Sequence, residues 1–179
     1  MTPDGSGVLY DATFDDNACA ALLALIREGR QGEFRHGWMR GMPASGLETQ
    51  LKERAAALRV HRSSAEQSNT SIIYEDRFIL KLFRGVQAGP NPDCEIGRFL
   101  TEKAHFAPAP PFAGSIEYQS NNVDSATLAM LQSFIANEGD AWKWTLEQVG
   151  HFYETCATLP SGEAKDLKRD CDFNGRCNV

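Results

Sequence analysis

The stretch Arg77-Phe78-Ile79-Leu80-Lys81-Leu82-Phe83-Arg84 puts a lysine at the centre of one of the most apolar runs in the chain. Its length and its bulky apolar residues are those of a strand. Side chains alternate between faces along a strand, so Phe78, Leu80 and Leu82 share one side, and Ile79, Lys81 and Phe83 the other. Neither side has the composition of a surface open to water. A lysine is seldom fully buried unless something pairs with it. The pattern asks for a carboxylate partner, an anionic ligand, or both. The competing reading is an edge-strand lysine whose stem covers apolar surface while its ammonium stays in solvent.

A carboxylate follows a short way downstream. Asn91-Pro92-Asp93 combines a capping Asn, a Pro in the first turn and an acid near the positive end of the helix dipole. It predicts a helix running to Lys103 with an apolar stripe of Ile96, Phe99 and Leu100. Glu95 falls on the margin of that stripe. A strand lysine followed by a helix glutamate that faces it is the device with which protein kinases hold nucleotide phosphates. By itself Glu95 reads more readily as a surface acid. Upstream, Gln67-Ser68-Asn69-Thr70-Ser71 precedes the apolar Ile72-Ile73-Tyr74. No glycine-rich loop is present there, but small hydroxyl and amide side chains permit a tight turn and can donate to phosphate oxygens. Glu75-Asp76 then separates two strand-like runs and predicts a hairpin.

Taken together, several ordered blocks resemble bacterial maltokinase, including the maltokinase module fused to trehalose synthase. They are Ser68-Asn69-Thr70-Ser71-Ile72-Ile73-Tyr74, Phe78 to Arg84, Asn91-Pro92-Asp93, Glu95-Ile96-Gly97-Arg98-Phe99-Leu100 and Asn137-Glu138-Gly139-Asp140-Ala141-Trp142. The resemblance covers residues 8 to 160. It implies a two-lobed, protein-kinase-like fold and the transfer of phosphate from ATP to maltose, giving maltose 1-phosphate. On this resemblance Ser68, Asn69, Thr70 and Ser71 cover the phosphates, Lys81 contacts them, and Glu95 orients Lys81. The strand Thr127-Leu128-Ala129-Met130-Leu131 leads to a hinge at Gln132-Ser133-Phe134-Ile135, where Gln132 and Phe134 mark the backbone groups that meet adenine. The blocks match only the small lobe. The large lobe, with its catalytic aspartate, Mg ligands and maltose site, has no counterpart here, so turnover is not expected. The fold class implied is α+β, a kinase-like small lobe with an antiparallel sheet of about five strands and packed helices. An alternative is a non-catalytic interaction domain that keeps this fold. A third is another sugar kinase or an aminoglycoside kinase.

Charge and cysteine usage narrow the partners. A net charge of −6 argues against nucleic acid, which wants a basic surface. Arg27, Arg30, Arg35 and Arg40 are interrupted by acids and read as a solvated face. Met1-Thr2-Pro3-Asp4-Gly5 lacks the basic start and apolar run of a signal peptide. No apolar run is long enough to cross a bilayer. A cytoplasmic protein with no membrane partner is expected. Cys19, Cys94 and Cys156 fall on helical segments as packing residues, whereas Cys171 and Cys177 have a spacing poor for zinc. His36, His61, His105 and His151 are scattered. An isolated small lobe would expose the surface that meets its partner lobe, which predicts self-association.

The remaining elements follow from period and punctuation. A helix is expected over Thr13 to Glu28, with Phe14, Cys19, Leu22, Leu23 and Ile26 in phase. A strand is expected over Gln31 to Arg40, a helix or mixed segment over Leu47 to Leu58, and a lead-in from Val60 to Glu66. Ala107-Pro108-Ala109-Pro110-Pro111 predicts a stiff, extended connector between core elements. Paired strands are expected over Phe112 to Tyr118 and Ala126 to Ile135. Thr145 and Gln148 resemble a capping box for a last helix, with Leu146, Val149, Phe152, Tyr153 and Cys156 on its buried face. Trp142 and Trp144 read as core residues, or as a sugar-stacking platform. One domain is expected over residues 1–160, followed by a poorly ordered tail over 161–179.

Overall fold

The computed structural model describes residues 6–52, 59–63, 69–120, 125–137, 139 and 141–158. The chain divides into two compact units, Met1–Ala136 and Asn137–Val179. The first is α+β and is built on one antiparallel sheet of seven strands. In chain order these are β1 (Gln31–Phe34), β2 (Gly37–Pro43), β3 (Val60–Ser63), β4 (Asn69–Tyr74), β5 (Phe78–Phe83), β6 (Phe112–Ser120) and β7 (Ala126–Ser133). In space they lie in the order β1-β2-β6-β7-β5-β4-β3. Three helices accompany them: α1 (Asp16–Arg27), α2 (Leu47–Lys52) and α3 (Pro92–Glu102).

Two more strands are present than the period of the sequence suggested. Gln31 to Arg40 is not one strand but a tight hairpin, with Phe34 opposite Gly37 and Gln31 opposite Arg40. Val60–Ser63 pairs along β4 as an edge strand rather than leading loosely into a loop. Both additions are polar or glycine-containing, so neither has the apolar alternation that marks a half-buried strand. The expected hairpin at Glu75-Asp76 is present. Both residues are left-handed, with φ 48° and 52°, and the Arg77 amide donates to the Tyr74 carbonyl at 3.0 Å. The left-handed pair follows the twist of the flanking strands without the usual Asn-Gly, and Arg77 is an extra residue before Phe78 pairs with Tyr74.

One face of the sheet carries the main core. Ile72 and Tyr74 of β4, Phe78 and Leu80 of β5, Ile116 of β6 and Leu131 of β7 pack with Cys19, Leu23 and Ile26 of α1. The helix expected from Thr13 begins later. A short 3-10 turn, Ala12–Phe14, precedes it, and Asp15, held extended, caps α1 by accepting from the Asn17 amide at 2.8 Å. Asp favours a cap over a helix interior because its carboxylate competes for nearby amides. Phe14 consequently falls outside the helix and is exposed, with the Arg62 guanidinium 5.4 Å from its ring centroid. Arg62 also donates from Nε to the Thr13 carbonyl and pairs with Asp16 at 2.9 Å, which ties the edge strand β3 to the start of α1.

The sheet and α1 meet closely at Gly41. A Cβ there would lie 2.0 Å from the Leu25 carbonyl oxygen, so no side chain fits. Tyr74, with no exposed surface, closes the other end of this contact by donating its hydroxyl to the Cys19 carbonyl at 2.8 Å. That carbonyl belongs to α1, so the bond crosses from sheet to helix inside the core.

Elsewhere the structure corrects the sequence reading in three places. Ala107 to Pro111 is not extended: the Ala109 amide donates to the Phe106 carbonyl, so the chain turns before β6 begins at Phe112. In the second unit, α4 runs from Ala141 to Thr158, starting a turn before Thr145. The Asn137 side chain accepts from the Gly139 amide and initiates the turn there, while Thr145 Oγ1 donates back to the Ala141 carbonyl inside the helix. Within its own unit the expected buried face of α4, Leu146, Val149, Phe152 and Tyr153, is not covered by another described element, and neither are Trp142 and Trp144. Among the described residues α4 is the only element of its unit, so its apolar stripe has no element of that unit to bury against. The residues expected to form the tail, Cys171 and Cys177 among them, lie outside the described residues, as do 53–58 of the second expected helix.

Burial holds the Tyr74 phenol above its ordinary value of 10.0, since ionising it would strand a charge in the core. Above pH 10 the unfolded chain therefore loses this proton while the folded chain keeps it, and stability falls as pH rises, by up to about 1.4 kcal/mol per pH unit. Tyr74→Phe is expected to lower stability at pH 7 by about 1–2 kcal/mol, because the buried hydrogen bond to the Cys19 carbonyl is lost. The same variant should flatten the alkaline decline. Urea denaturation at pH 7 and over pH 9–11 checks both expectations.

Candidate functional site

The ladder positions put the candidate residues on definite faces. Residues directly opposite in neighbouring strands share a face. Lys81 lies opposite Ser71 of β4 and Met130 of β7, and Phe83 opposite Asn69. Met130 packs with Cys94 of α3 and with Phe112, on the side away from α1. Lys81, Ser71, Asn69, Met130 and, two residues on, Gln132 therefore belong to the α3 side of the sheet. Thr70 lies opposite Leu82, whose side chain packs on the main core, so Thr70 is on the other side, and its hydroxyl accepts from Arg84 Nε at 3.2 Å. Of the expected phosphate contacts, Asn69 and Ser71 come together with Lys81, Thr70 does not, and Ser68 lies outside the described residues.

Lys81 is half-buried at the centre of this face, and Ser71 beside it is fully buried. Ile79 and Phe83, its neighbours on the same face of β5, are half-buried. The lysine is thus set on a partly apolar floor with small polar groups from β4 alongside. A half-desolvated ammonium of this kind attracts an anion more strongly than one in open water.

Helix α3 begins as predicted. Asn91 accepts from the Asp93 amide at 3.0 Å, and Pro92 occupies the first turn. Its orientation is not as predicted. Ile96 and Phe99 are each 57% exposed, while Cys94 is buried. The face turned to the sheet is Cys94, Gly97, Arg98 and Thr101. Gly97 brings the helix so near the strands that a Cβ there would touch Met130 Sδ at 3.5 Å. The Arg98 guanidinium lies 5.1 Å from the Phe112 ring centroid and donates to Ser115 Oγ at 3.1 Å, with Glu117 at 3.5 Å. Thr101 Oγ1 accepts from the Phe112 amide at 2.8 Å. At about 100° per residue these four positions are almost opposite the Ile96–Phe99–Leu100 stripe on the helix wheel. Contact area and a stacked, ion-paired arginine outweigh the apolar stripe here, and a search for hydrophobic period passes over such a face.

The expected ion pair is affected. Glu95 is exposed and no salt bridge within 4.0 Å joins it to Lys81. It lines a cavity on one flank of α3, together with Cys94, Arg98, Phe99 and Glu102 of the same helix, Glu117 of β6 and Thr127 of β7. Lys81 is not part of that lining, and its strand β5 is separated from β6 by β7. The cause is the rotation of α3, which leaves Glu95 about a quarter-turn from the face that meets the sheet.

The segment expected to be the hinge ends β7. The Ser133 amide donates to the Pro111 carbonyl at 2.8 Å and the Phe134 amide to the Arg77 carbonyl at 2.7 Å. Both N–H groups serve the fold. Gln132, on the α3 side, and Phe134 are half-buried. Burial raises the Cys94 thiol above its usual value, despite the opposing effect of Arg98, so this cysteine is a packing residue and not an activated nucleophile.

No family model matches the chain. No helix among the described residues is long and apolar enough to cross a membrane.

The packing of Gly97 yields a prediction with two signs. Gly97→Ala adds a Cβ at ordinary contact distance and removes a helix-interior glycine, so it should stabilise by about 0.5–1 kcal/mol. Gly97→Leu must push α3 from Met130 and Phe112 and should destabilise by about 1–3 kcal/mol. Thermal or urea unfolding of the two variants checks this.

Proposed function

We propose that the sheet face around Lys81 binds the phosphates of a nucleotide, and that the chain is the ATP-binding small lobe of a kinase of the maltokinase type. The observation that carries this reading is the position of Lys81. It sits in the third of three consecutive antiparallel strands, β3, β4 and β5, half-buried beside Ser71, with α3 following in sequence and lying over the same side of the sheet. In protein kinases the phosphate-holding lysine is on the third strand of the small lobe, and the helix that carries its glutamate follows. Strands β6 and β7 then continue the sheet in the order β3-β4-β5-β7-β6, and β1 and β2 extend it beyond β6.

In this reading Lys81 supplies the positive charge and Asn69 flanks the phosphates from β4, while Ser71, fully buried, forms part of the floor beside Lys81. Thr70, on the other side of the sheet and engaged by Arg84, has no place at the phosphates in this reading. Glu95 would reach Lys81 only after a rotation of α3 or a change of its own rotamer. Pairing of that kind depends on helix position in protein kinases, where it separates active from inactive forms. Adenine would meet backbone groups of the Gln132–Ile135 segment other than the Ser133 and Phe134 amides. Among the described residues no group of three or more His, Cys, Asp or Glu side chains is placed to hold a metal ion, and the nucleotide would carry Mg²⁺ in with it. Maltose would require the large lobe.

A second reading, a non-catalytic interaction domain, is favoured by one observation. The outer stripe of α3 presents Ile96 and Phe99 to solvent, a surface that a partner would cover. Self-association, expected of an isolated small lobe, is compatible with this reading as well.

Calorimetric titration with Mg·ATP separates the two. The first expects saturable binding that weakens about ten- to a hundredfold in Lys81→Ala, the loss of a charge-assisted phosphate contact. Absence of heat at millimolar nucleotide would overturn it. Under the second, light scattering should show assembly that Phe99→Glu abolishes.

A further inference from the structure

The cavity on the flank of α3 takes no part in holding phosphates, and its lining has its own chemistry. It encloses about 450 Å³, within the range of sites that hold small organic molecules. Phe99 and Pro90 give it apolar walls, and Ser125 and Thr127 give it small polar groups. Three carboxylates line it, Glu95, Glu102 and Glu117, against two cations, Arg98 and Lys103. Arg98 is committed to Ser115, Glu117 and the Phe112 ring. Glu95 and Glu102 remain, against Lys103 alone. They are seven residues apart, hence roughly two turns along the same flank of the helix. Neither makes a salt bridge within 4.0 Å among the described residues. The cavity thus offers an aromatic wall and surplus negative charge to whatever enters it.

We propose that this cavity binds a small organic ammonium compound with an apolar arm. The ammonium group is held by Glu95 and Glu102, and the arm lies against the Phe99 ring, where a cation near the ring face is also favoured. A bound ammonium holds Glu95 on this flank and so competes with Lys81 for the same carboxylate. This last consequence rests on the nucleotide reading, whereas the binding itself does not.

The probe is phenethylammonium, titrated into the full chain at low ionic strength and followed by amide NMR, with ammonium chloride as the control for charge alone. Saturable shifts clustered at Glu95, Phe99, Glu102 and Thr127 are expected with phenethylammonium and not with ammonium chloride. Glu102→Gln, a conservative change of a side chain with no ion pair, should weaken binding about threefold, and Phe99→Ala should weaken it further. Without nucleotide, when Glu95 is not paired with Lys81, Lys81→Ala should leave this binding unchanged, while in a separate titration it weakens that of nucleotide, so the two proposals fail separately. Shifts that do not saturate, that are matched by ammonium chloride, or that persist unchanged in Glu102→Gln would overturn the assignment.

Discussion

The pairing of β5 with β7 is the contact on which the architecture depends. Strands β3, β4 and β5 follow one another as hairpins on one side, and β1, β2, β6 and β7 form the other side. Among the described residues the β5–β7 ladder, with Leu80 opposite Leu131 and Lys81 opposite Met130, is the strand pairing that joins them. It too is long-range in sequence, since α3 and the turn before β6 intervene, although β2 reaches farther still to pair with β6. Because the chain leaves β5 and returns two strands away, α3 must cross one face of the sheet. Lys81 and Met130 point to that same face. The seam that closes the sheet therefore also fixes which side can carry a ligand.

The two faces are stabilised by different means. On the α1 side, large apolar residues interlock and a single buried hydroxyl, that of Tyr74, stitches sheet to helix. Fully burying side chains such as Ile72 or Leu80 contributes roughly 1.5–3 kcal/mol each, so this face supplies most of the stability. The α3 side has a much smaller apolar cluster of Ala44, Cys94, Phe112 and Met130, supplemented by an arginine stacked on a ring and two side-chain hydroxyls. A face that is thinly packed and rich in polar contacts suits movement and binding better than it suits stability.

Much of this was legible in the sequence where local rules act alone. The central strand, its lysine, the Glu75-Asp76 turn and the start of α3 at Asn91-Pro92 all follow from period, turn chemistry or capping, and they appear where those rules place them. The rotation of α3 was not legible. An apolar stripe of Ile96, Phe99 and Leu100 predicts one orientation, but Gly97 permits closer approach and Arg98 finds a ring and a carboxylate, both of which depend on residues in β6. The misplaced Glu95 is a consequence of that one error. Likewise β1 and β3 are defined by the ladders they join more than by their own residues. The face of α4 failed for the opposite reason: its period is real, but the period of a helix does not say whether anything lies against it.

The outermost strands have a bearing on how the protein behaves in concentrated solution. Both β1 and β3 are only four residues long, and they carry Glu33, His61 and Arg62. Arg62 is already tethered to the start of α1. So short and polar a border gives an incoming chain few amides to zip onto and places charge where a stacked ribbon would have to desolvate it. A sheet of seven strands is thereby guarded against fibrillar growth along its two described margins.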